Sequence, residues 1–153
     1  MKPVLLTVDH IRQRVPGECV AACAPMILNY MGLLVDYNGL IKLLRITTGG
    51  TPSFRVLDLE ILGITVIYKQ GSFQELREHL LQNRPCMAFV FTGELPYWDE
   101  ATSHAVVVTG LDDDNVYVND PAFPDAPIPV SKGDFDLAWL ERDEYYAAFL
   151  KPD

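Results

Sequence analysis

Gly17-Glu18-Cys19-Val20-Ala21-Ala22-Cys23-Ala24-Pro25-Met26-Ile27-Leu28-Asn29-Tyr30-Met31-Gly32 is the stretch on which the reading of the fold turns. Small side chains come first, bulky apolar ones follow, and no charge stands between Glu18 and Gly32. A helix apolar on all sides must be buried. Residues 19–31 are therefore expected to form a buried helix, closed by Gly32 in a left-handed cap. Pro25 interrupts the pattern, because inside a helix it deletes a backbone hydrogen bond and can kink the axis. Ala21 and Ala22 leave room for other backbone to approach the start of the helix.

Working outward, residues 4–8 read as a short strand. Asp36 can cap a short helix running to Leu44. Thr51 is expected as the N-cap before an N1 proline, Pro52, with Phe54, Leu57 and Ile61 at helical spacing and Gly63 closing that helix. Residues 64–69 read as a strand. Ser72-Phe73-Gln74-Glu75 has the form of a capping box opening a helix to about residue 83, Pro85 ends it, and residues 86–91 are a strand. The clearest β signal is the pair of apolar, β-branched runs 104–111 and 116–120, joined by Asp112-Asp113-Asp114-Asn115 as a hairpin. A helix near 134–142 and a strand over 145–150 finish the chain. Helices dominate the first half and antiparallel strands the second, so the expected fold class is α+β, with the buried helix packed on a C-terminal antiparallel sheet. With 153 residues and no repeat or linker, the chain is expected to form one domain over 1–153.

Composition bounds the function. The hydrophobic fraction of 49% allows a substantial core, and the net charge of -9 disfavours nucleic acid and anionic lipid as partners while leaving a basic substrate open. No apolar run approaches the ~18 residues of a membrane span. No secretory signal is visible at the start, so a cytoplasmic setting with reduced thiols is expected. The three cysteines, Cys19, Cys23 and Cys86, show no zinc-site spacing. Asp112 to Asn115 lacks the glycine and distal glutamate of a calcium loop, and Gly49-Gly50 is too short to cradle phosphate. No metal or cofactor is expected.

Cys19 stands at the expected N-terminus of the buried helix, where unpaired N–H groups and the helix dipole favour a thiolate. A lone buried cysteine is usually an inert small hydrophobe, and Cys23 and Cys86 are read that way. A nucleophilic cysteine needs an imidazole, and the imidazole needs an orienting partner. Of three histidines, His79 falls inside a capped helix and is expected to be solvated, His10 is a weaker base candidate, and His104 opens the strongest strand. Its candidate partner is Asp120. If the hairpin loop is the three residues Asp112 to Asp114, Leu111 faces Asn115, His104 faces Ala122, and Asp120 becomes the same-face diagonal neighbour of His104. A two-residue turn would send Asp120 to the opposite face, whereas a bulge could supply the same register. Asn119-Asp120-Pro121 is also ordinary turn chemistry. Tyr97-Trp98, in a polar loop before His104, is either a hydrophobic anchor or one wall of a substrate groove.

The residues 13–31, beginning Gln13-Arg14-Val15-Pro16-Gly17-Glu18-Cys19, resemble the nucleophile motif of the bacteriocin-leader (double-glycine) peptidases, cysteine-peptidase family 39 in the papain-like group. His104-Ala105-Val106-Val107-Val108-Thr109-Gly110, with Val116-Tyr117-Val118-Asn119-Asp120-Pro121, resembles that family's second motif. The resemblance implies a papain-like fold and a thiol endopeptidase acting on a peptide or protein. Cys19 would be the nucleophile, His104 the base, Asp120 its orienter, and Gln13 the oxyanion-hole side chain. An acyl transferase on the same scaffold and a non-catalytic peptide-binding module are the alternatives. The family usually carries glycine directly after the cysteine, where this chain has Val20, a β-branched residue that would narrow the site beside the thiol.

Overall fold

A computed structural model describes residues 2–152. The chain runs β1 (Val4–Leu5), α1 (Cys19–Tyr30), α2 (Tyr37–Leu43), a 3-10 helix (Ser53–Leu62), β2 (Thr65–Gln70), α3 (Phe73–Leu81), β3 (Cys86–Phe91), β4 (Ser103–Leu111), β5 (Asn115–Asn119), β6 (Ile128–Ser131), α4 (Lys132–Leu140) and β7 (Tyr145–Leu150). Seven antiparallel strands form one sheet in the order β2-β7-β3-β4-β5-β6, with β1 on the far end of β4. The α+β class stands, with α1 packed on the sheet. The sheet also recruits β2 and β3 from mid-chain, and α3 and α4 cover the face opposite α1. Two apolar clusters follow: Met26, Ile27 and Leu28 of α1 meet Met87, Phe89 and Val107 on one face. On the other, Leu76, Phe135 and Trp139 meet Ala88, Val106 and Val118. The residues of β3 and β4 are thus apolar without alternation, because both of their faces are covered.

Helix α1 continues through Pro25 and is buried from Val20 to Leu28. It ends as its glycine implied. Gly32 has φ +86°, its N–H donates to the Asn29 carbonyl, and the Leu33 N–H donates to Leu28, both at 2.9 Å; this is the paired closure of a Schellman motif. Asp36 caps α2, accepting from the Gly39 N–H at 3.1 Å.

Three local expectations are corrected. Residues 53–62 form a 3-10 helix whose N-cap is Pro52, not Thr51, and the Thr51 hydroxyl instead donates to the Leu44 carbonyl at 3.0 Å. At three residues per turn, the inward positions are Val56 and Leu59, both fully buried, while Phe54, Leu57 and Ile61 are exposed. The capping box of α3 is half formed. Ser72 accepts from the Glu75 N–H, but the Glu75 carboxylate pairs with Lys69 at 2.8 Å and accepts from the Tyr146 hydroxyl. His79 is not solvated: it is 9% exposed, with Nε2 against the Tyr146 hydroxyl and Nδ1 accepting from Arg84, each at 3.0 Å.

The hairpin reaches the expected pairing by another route. Leu111 faces Val116 rather than Asn115, so the turn is one residue longer than the three-residue loop. Asp112 organises it, its Oδ1 accepting from the Asp114 and Asn115 N–H groups at 2.9 and 2.7 Å. A bulge between Val108 and Gly110 then shifts the register back, so that Val108 faces Val118 and Val107 faces Asn119. Extrapolated along the strands, that pairing sets His104 and Asp120 on the same diagonal. The expected strand over 4–8 is confined to Val4–Leu5, where Gly110 lets β1 lie close against β4. A Cβ at Gly110 would collide with the Leu5 side chain and stand 3.0 Å from the Val4 carbonyl. Gly110→Val should therefore unseat β1, destabilising the protein by about 1–3 kcal/mol. The check is a lowered Tm together with faster amide exchange at Leu6, whose N–H donates to the Thr109 carbonyl at 2.8 Å.

Candidate active site

Cys19 is the first residue of α1, and Glu18, at the N-cap position, places no side-chain acceptor on the helix N–H groups. The Glu18 carboxylate is engaged elsewhere, accepting from the Tyr37 hydroxyl at 2.9 Å and facing Arg14 at 3.4 Å. The backbone of Val20, in that uncapped first turn, interacts with the Cys19 sulfur and lowers its pKa. The approach to it is tight: Gly17 has φ +92°, and a Cβ there would stand 2.9 Å from the Thr48 carbonyl. Only glycine meets both conditions without strain.

His104 and Asp120 meet as the diagonal register requires. His104 Nε2 donates to Asp120 Oδ1 at 2.7 Å, and both side chains are almost wholly buried. The Cys19 thiol lies beside His104, close enough for the imidazole to lower the thiol pKa. Since Nε2 is taken by Asp120, Nδ1 is the ring nitrogen left for the sulfur. Asp120 has further donors. Its Oδ1 accepts the Ala122 N–H at 3.0 Å, and its Oδ2 accepts the Tyr97 hydroxyl at 2.8 Å and the Trp98 indole N–H at 2.9 Å. One carboxylate thus both bonds His104 and closes the turn through Ala122.

Tyr97 and Trp98 are the residues whose roles in the site the sequence left unassigned. They hold the far oxygen of Asp120, and the Trp98 ring stands edge-on to His104 with centroids 4.8 Å apart. Their loop is built on buried Thr92, which accepts the Thr102 N–H and donates to the Glu100 carbonyl at 2.6 Å. A donor-bearing aromatic pair a few residues before the histidine was the available signal, but nothing local ties it to Asp120.

Gln13 reaches the same groove by a different support. Its backbone N–H donates to the Pro121 carbonyl at 2.8 Å. Its side chain lines the groove beside Cys19, with Oε1 buried and without a hydrogen-bond partner among the described residues. His10, the weaker base candidate, is committed elsewhere, with Nε2 donating to the Phe123 carbonyl at 2.7 Å. The groove encloses about 720 Å³. Val20 lines it but is 4% exposed and belongs to the apolar cluster beneath.

The ionisation of the site runs against its burial. Burial alone raises a thiol pKa, yet hydrogen bonding and attraction from His104, with backbone bonds at Ala105 and Val20, hold Cys19 below its ordinary 9.0. Burial alone would lower the imidazole, but Asp120 and Cys19 raise His104 from 6.5 to about 9. Asp120 likewise stays below 3.8 despite burial, because His104, Ala122 and Trp98 stabilise its charge. Cys23, one turn along, has no such partner. Its S–H donates to the Ala105 carbonyl at 3.4 Å, and burial pushes it well above the ordinary thiol value. Cys86 is raised by burial as well. Among the described residues no group of three acidic, histidine or cysteine side chains is arranged to hold a metal ion.

The model of the Peptidase_C39 like family matches residues 5–146, and the chain belongs to that family. Among solved structures it is similar to a protein from Bacillus anthracis described as a C39-like peptidase, at 19% identity and TM-score 0.81 over 100% of both chains. It is also similar to the double glycine motif protease of an AMS/PCAT transporter in complex with its leader peptide, at 20% identity and TM-score 0.76 over 99% of each chain. A third similarity is to the peptidase domain of Streptococcus ComA, a bifunctional ABC transporter of a quorum-sensing pathway, at 16% identity and TM-score 0.77 over 95% of this chain and 99% of that one. At these identities the likeness establishes the fold. No curated protein sequence matches the chain.

Asp120→Ala should cost about 3 kcal/mol at pH 6, since it strands the donors of a buried pair. His104 contributes stability in full below its unfolded value near 6.5 and loses it as pH rises through about 9. Asp120 contributes fully above 3.8 and loses it as pH falls. The gap between wild type and variant should thus be widest at about pH 4–6.5 and narrow towards pH 9, as read by urea unfolding across that range.

Proposed function

We propose that this member of the C39-like peptidase family is a thiol endopeptidase, with Cys19 as nucleophile, His104 as acid and base, Asp120 as orienter and Gln13 as oxyanion donor. The observation that carries the reading is the buried His104–Asp120 hydrogen bond in the groove that also holds the Cys19 thiol, whose pKa the imidazole lowers. A thiol held below its ordinary pKa beside an imidazole held above its own favours the thiolate–imidazolium form, the reactive state for acyl chemistry.

In this mechanism the Cys19 sulfur attacks the carbonyl carbon of a peptide lying in the groove. Negative charge moves to the carbonyl oxygen, where the Cys19 backbone N–H and the Gln13 side-chain amide donate to it. The place of Gln13 in the lining of the groove that holds Cys19 supports this role. His104 passes its proton to the leaving nitrogen as the C–N bond breaks, leaving a thioester. A water then attacks the thioester with His104 as base, releasing the carboxylic acid and restoring the thiolate. Asp120 keeps the imidazole oriented and favours its charged form throughout. We further propose that residues 1–153 act as one peptidase unit in the cytoplasm, where a reduced Cys19 persists. The three cysteines are free, and no helix among the described residues is long and apolar enough to cross a membrane.

Cys19→Ala should abolish cleavage of a peptide library and His104→Ala nearly so, while Gln13→Ala should lower turnover by roughly 10²-fold. Full cleavage by the Cys19→Ala variant, or loss through Cys86→Ala instead, would overturn the assignment. Mass spectrometry of the products also separates hydrolysis, which gives free acids, from transfer to an amine. The pH profile carries an independent sign. Activity should fall on the alkaline side with a midpoint near pH 9, as His104 loses its proton. Asp120→Asn, which removes a source of that elevation, should move the limb to lower pH.

A further inference from the structure

Arg142 stands in the turn between α4 and β7, a stretch the site as described does not use. It is half-buried and lines the same groove as Cys19. Its guanidinium lies over the Phe89 ring, 5.9 Å from the centroid. Phe89 in turn faces Ala105 across the β3–β4 ladder, and Ala105 is the residue whose backbone bonds the Cys19 sulfur. The ring beneath the guanidinium thus belongs to β3, the strand paired with the one that carries His104.

The backbone holds it there at a cost. Asp143 and Glu144, the two residues after Arg142, have φ +58° and +55°. Two successive non-glycine residues in the left-handed region are an uncommon, mildly strained arrangement, of the kind found where a structure aims a side chain. Despite the excess of acidic residues in the chain, no carboxylate among the described residues pairs with Arg142. Glu144 stands against Asp136 instead, which raises its pKa. Of the other two arginines that line the groove, Arg12 is exposed, and Arg14 is engaged by Glu18, Asn38 at 2.8 Å and the Tyr37 ring. A planar cation stacked on an aromatic face, in a groove and without a partner, has its in-plane N–H donors available for a carboxylate.

The geometry points to Arg142 as a specificity-determining residue that accepts an acidic side chain, Glu or Asp, at one position of the peptide bound in the groove. This rests on the proposed peptidase reading of that groove and gives it a substrate class. It also runs opposite to what the net charge of -9 alone implies, which is attraction of basic peptides.

The test uses the full chain and internally quenched peptide libraries in which one position at a time is fixed as Glu, Gln or Lys. Wild type should favour Glu over Gln by about tenfold or more at a single position, mainly through KM. Arg142→Ala should remove that preference while cleaving the Gln peptides as wild type does and reacting with iodoacetamide at an unchanged rate. Arg142→Glu should turn the same position towards Lys. The same peptides, labelled and titrated into Cys19→Ala and Cys19→Ala/Arg142→Ala by fluorescence polarisation, read recognition without turnover. Arg142-dependent binding of Glu peptides with no cleavage by wild type would sink the peptidase reading and leave this inference standing. Cleavage with no Glu preference, or a Glu preference that survives Arg142→Ala, would sink this inference alone, and so would an absence of charge-dependent binding.

Discussion

A carboxylate sealed from water has to have its charge answered by fixed donors, and the Asp120 side chain, with no exposed surface, is answered four times over. His104, Ala122, Tyr97 and Trp98 supply those donors from three separate segments. An ion buried without partners costs several kcal/mol, so the charged form persists only while the start of β4, the 97–98 loop and the turn after β5 are all in place. Each of these positions something in the groove: the imidazole, the ring beside it, and the backbone that receives Gln13. Tertiary structure and site chemistry therefore share one constraint.

The same constraint explains why one cysteine of the three differs from the others. Cys19 and Cys23 lie on one helix, a turn apart, and burial opposes ionisation of both. For Cys23 nothing offsets that penalty, and its thiol is directed at a carbonyl oxygen, which favours the protonated form. Cys19 has the open helix end and the imidazolium, which together outweigh it. The elevation of His104 depends on Asp120 and on Cys19 in turn. The ionisation state accordingly belongs to the three groups jointly rather than to any one of them.

Much of this was legible where the physics is local. The closure of α1 at Gly32, the cap at Asp36, and the bounds of β3 and β7 follow from turn chemistry and apolar runs within a few residues. Legibility failed where a neighbour distant in sequence decided the outcome. Phe54, Leu57 and Ile61 fit an α-helical stripe, but the segment winds with three residues per turn and buries Val56 and Leu59 instead. His79 looked solvated within its helix, yet Tyr146 on β7 encloses it. The Glu75 carboxylate could have closed its own capping box, but Lys69 on β2 claims it. The hairpin is the instructive middle case. The turn was misjudged by a residue, and the bulge near Thr109 corrected the register before it reached the dyad. A buried ion pair at the strand ends tolerates one alignment only, and the surplus residue is absorbed where the strand can bend.

The distance of Gln13 from Cys19 in sequence is a necessary condition for their meeting and not a sufficient one. What seats Gln13 is the segment from Asn119 to Phe123. Asn119 Nδ2 donates to the Val8 carbonyl at 3.0 Å, Pro121 receives the Gln13 N–H, and Phe123 receives His10. Residue by residue, that segment holds the N-terminal strap on one side, while its own Asp120 holds His104 on the other. The proposed oxyanion donor and the orienter of the base thus hang from five consecutive residues. A displacement there would move both relative to Cys19 together. β5 precedes this segment and β6 follows it, so it is anchored at both ends by paired strands of one sheet. The alignment of the proposed site therefore follows from the pairing of β5 with its neighbours, and the uncapped end of α1 has only to present the sulfur to an arrangement the sheet has already built.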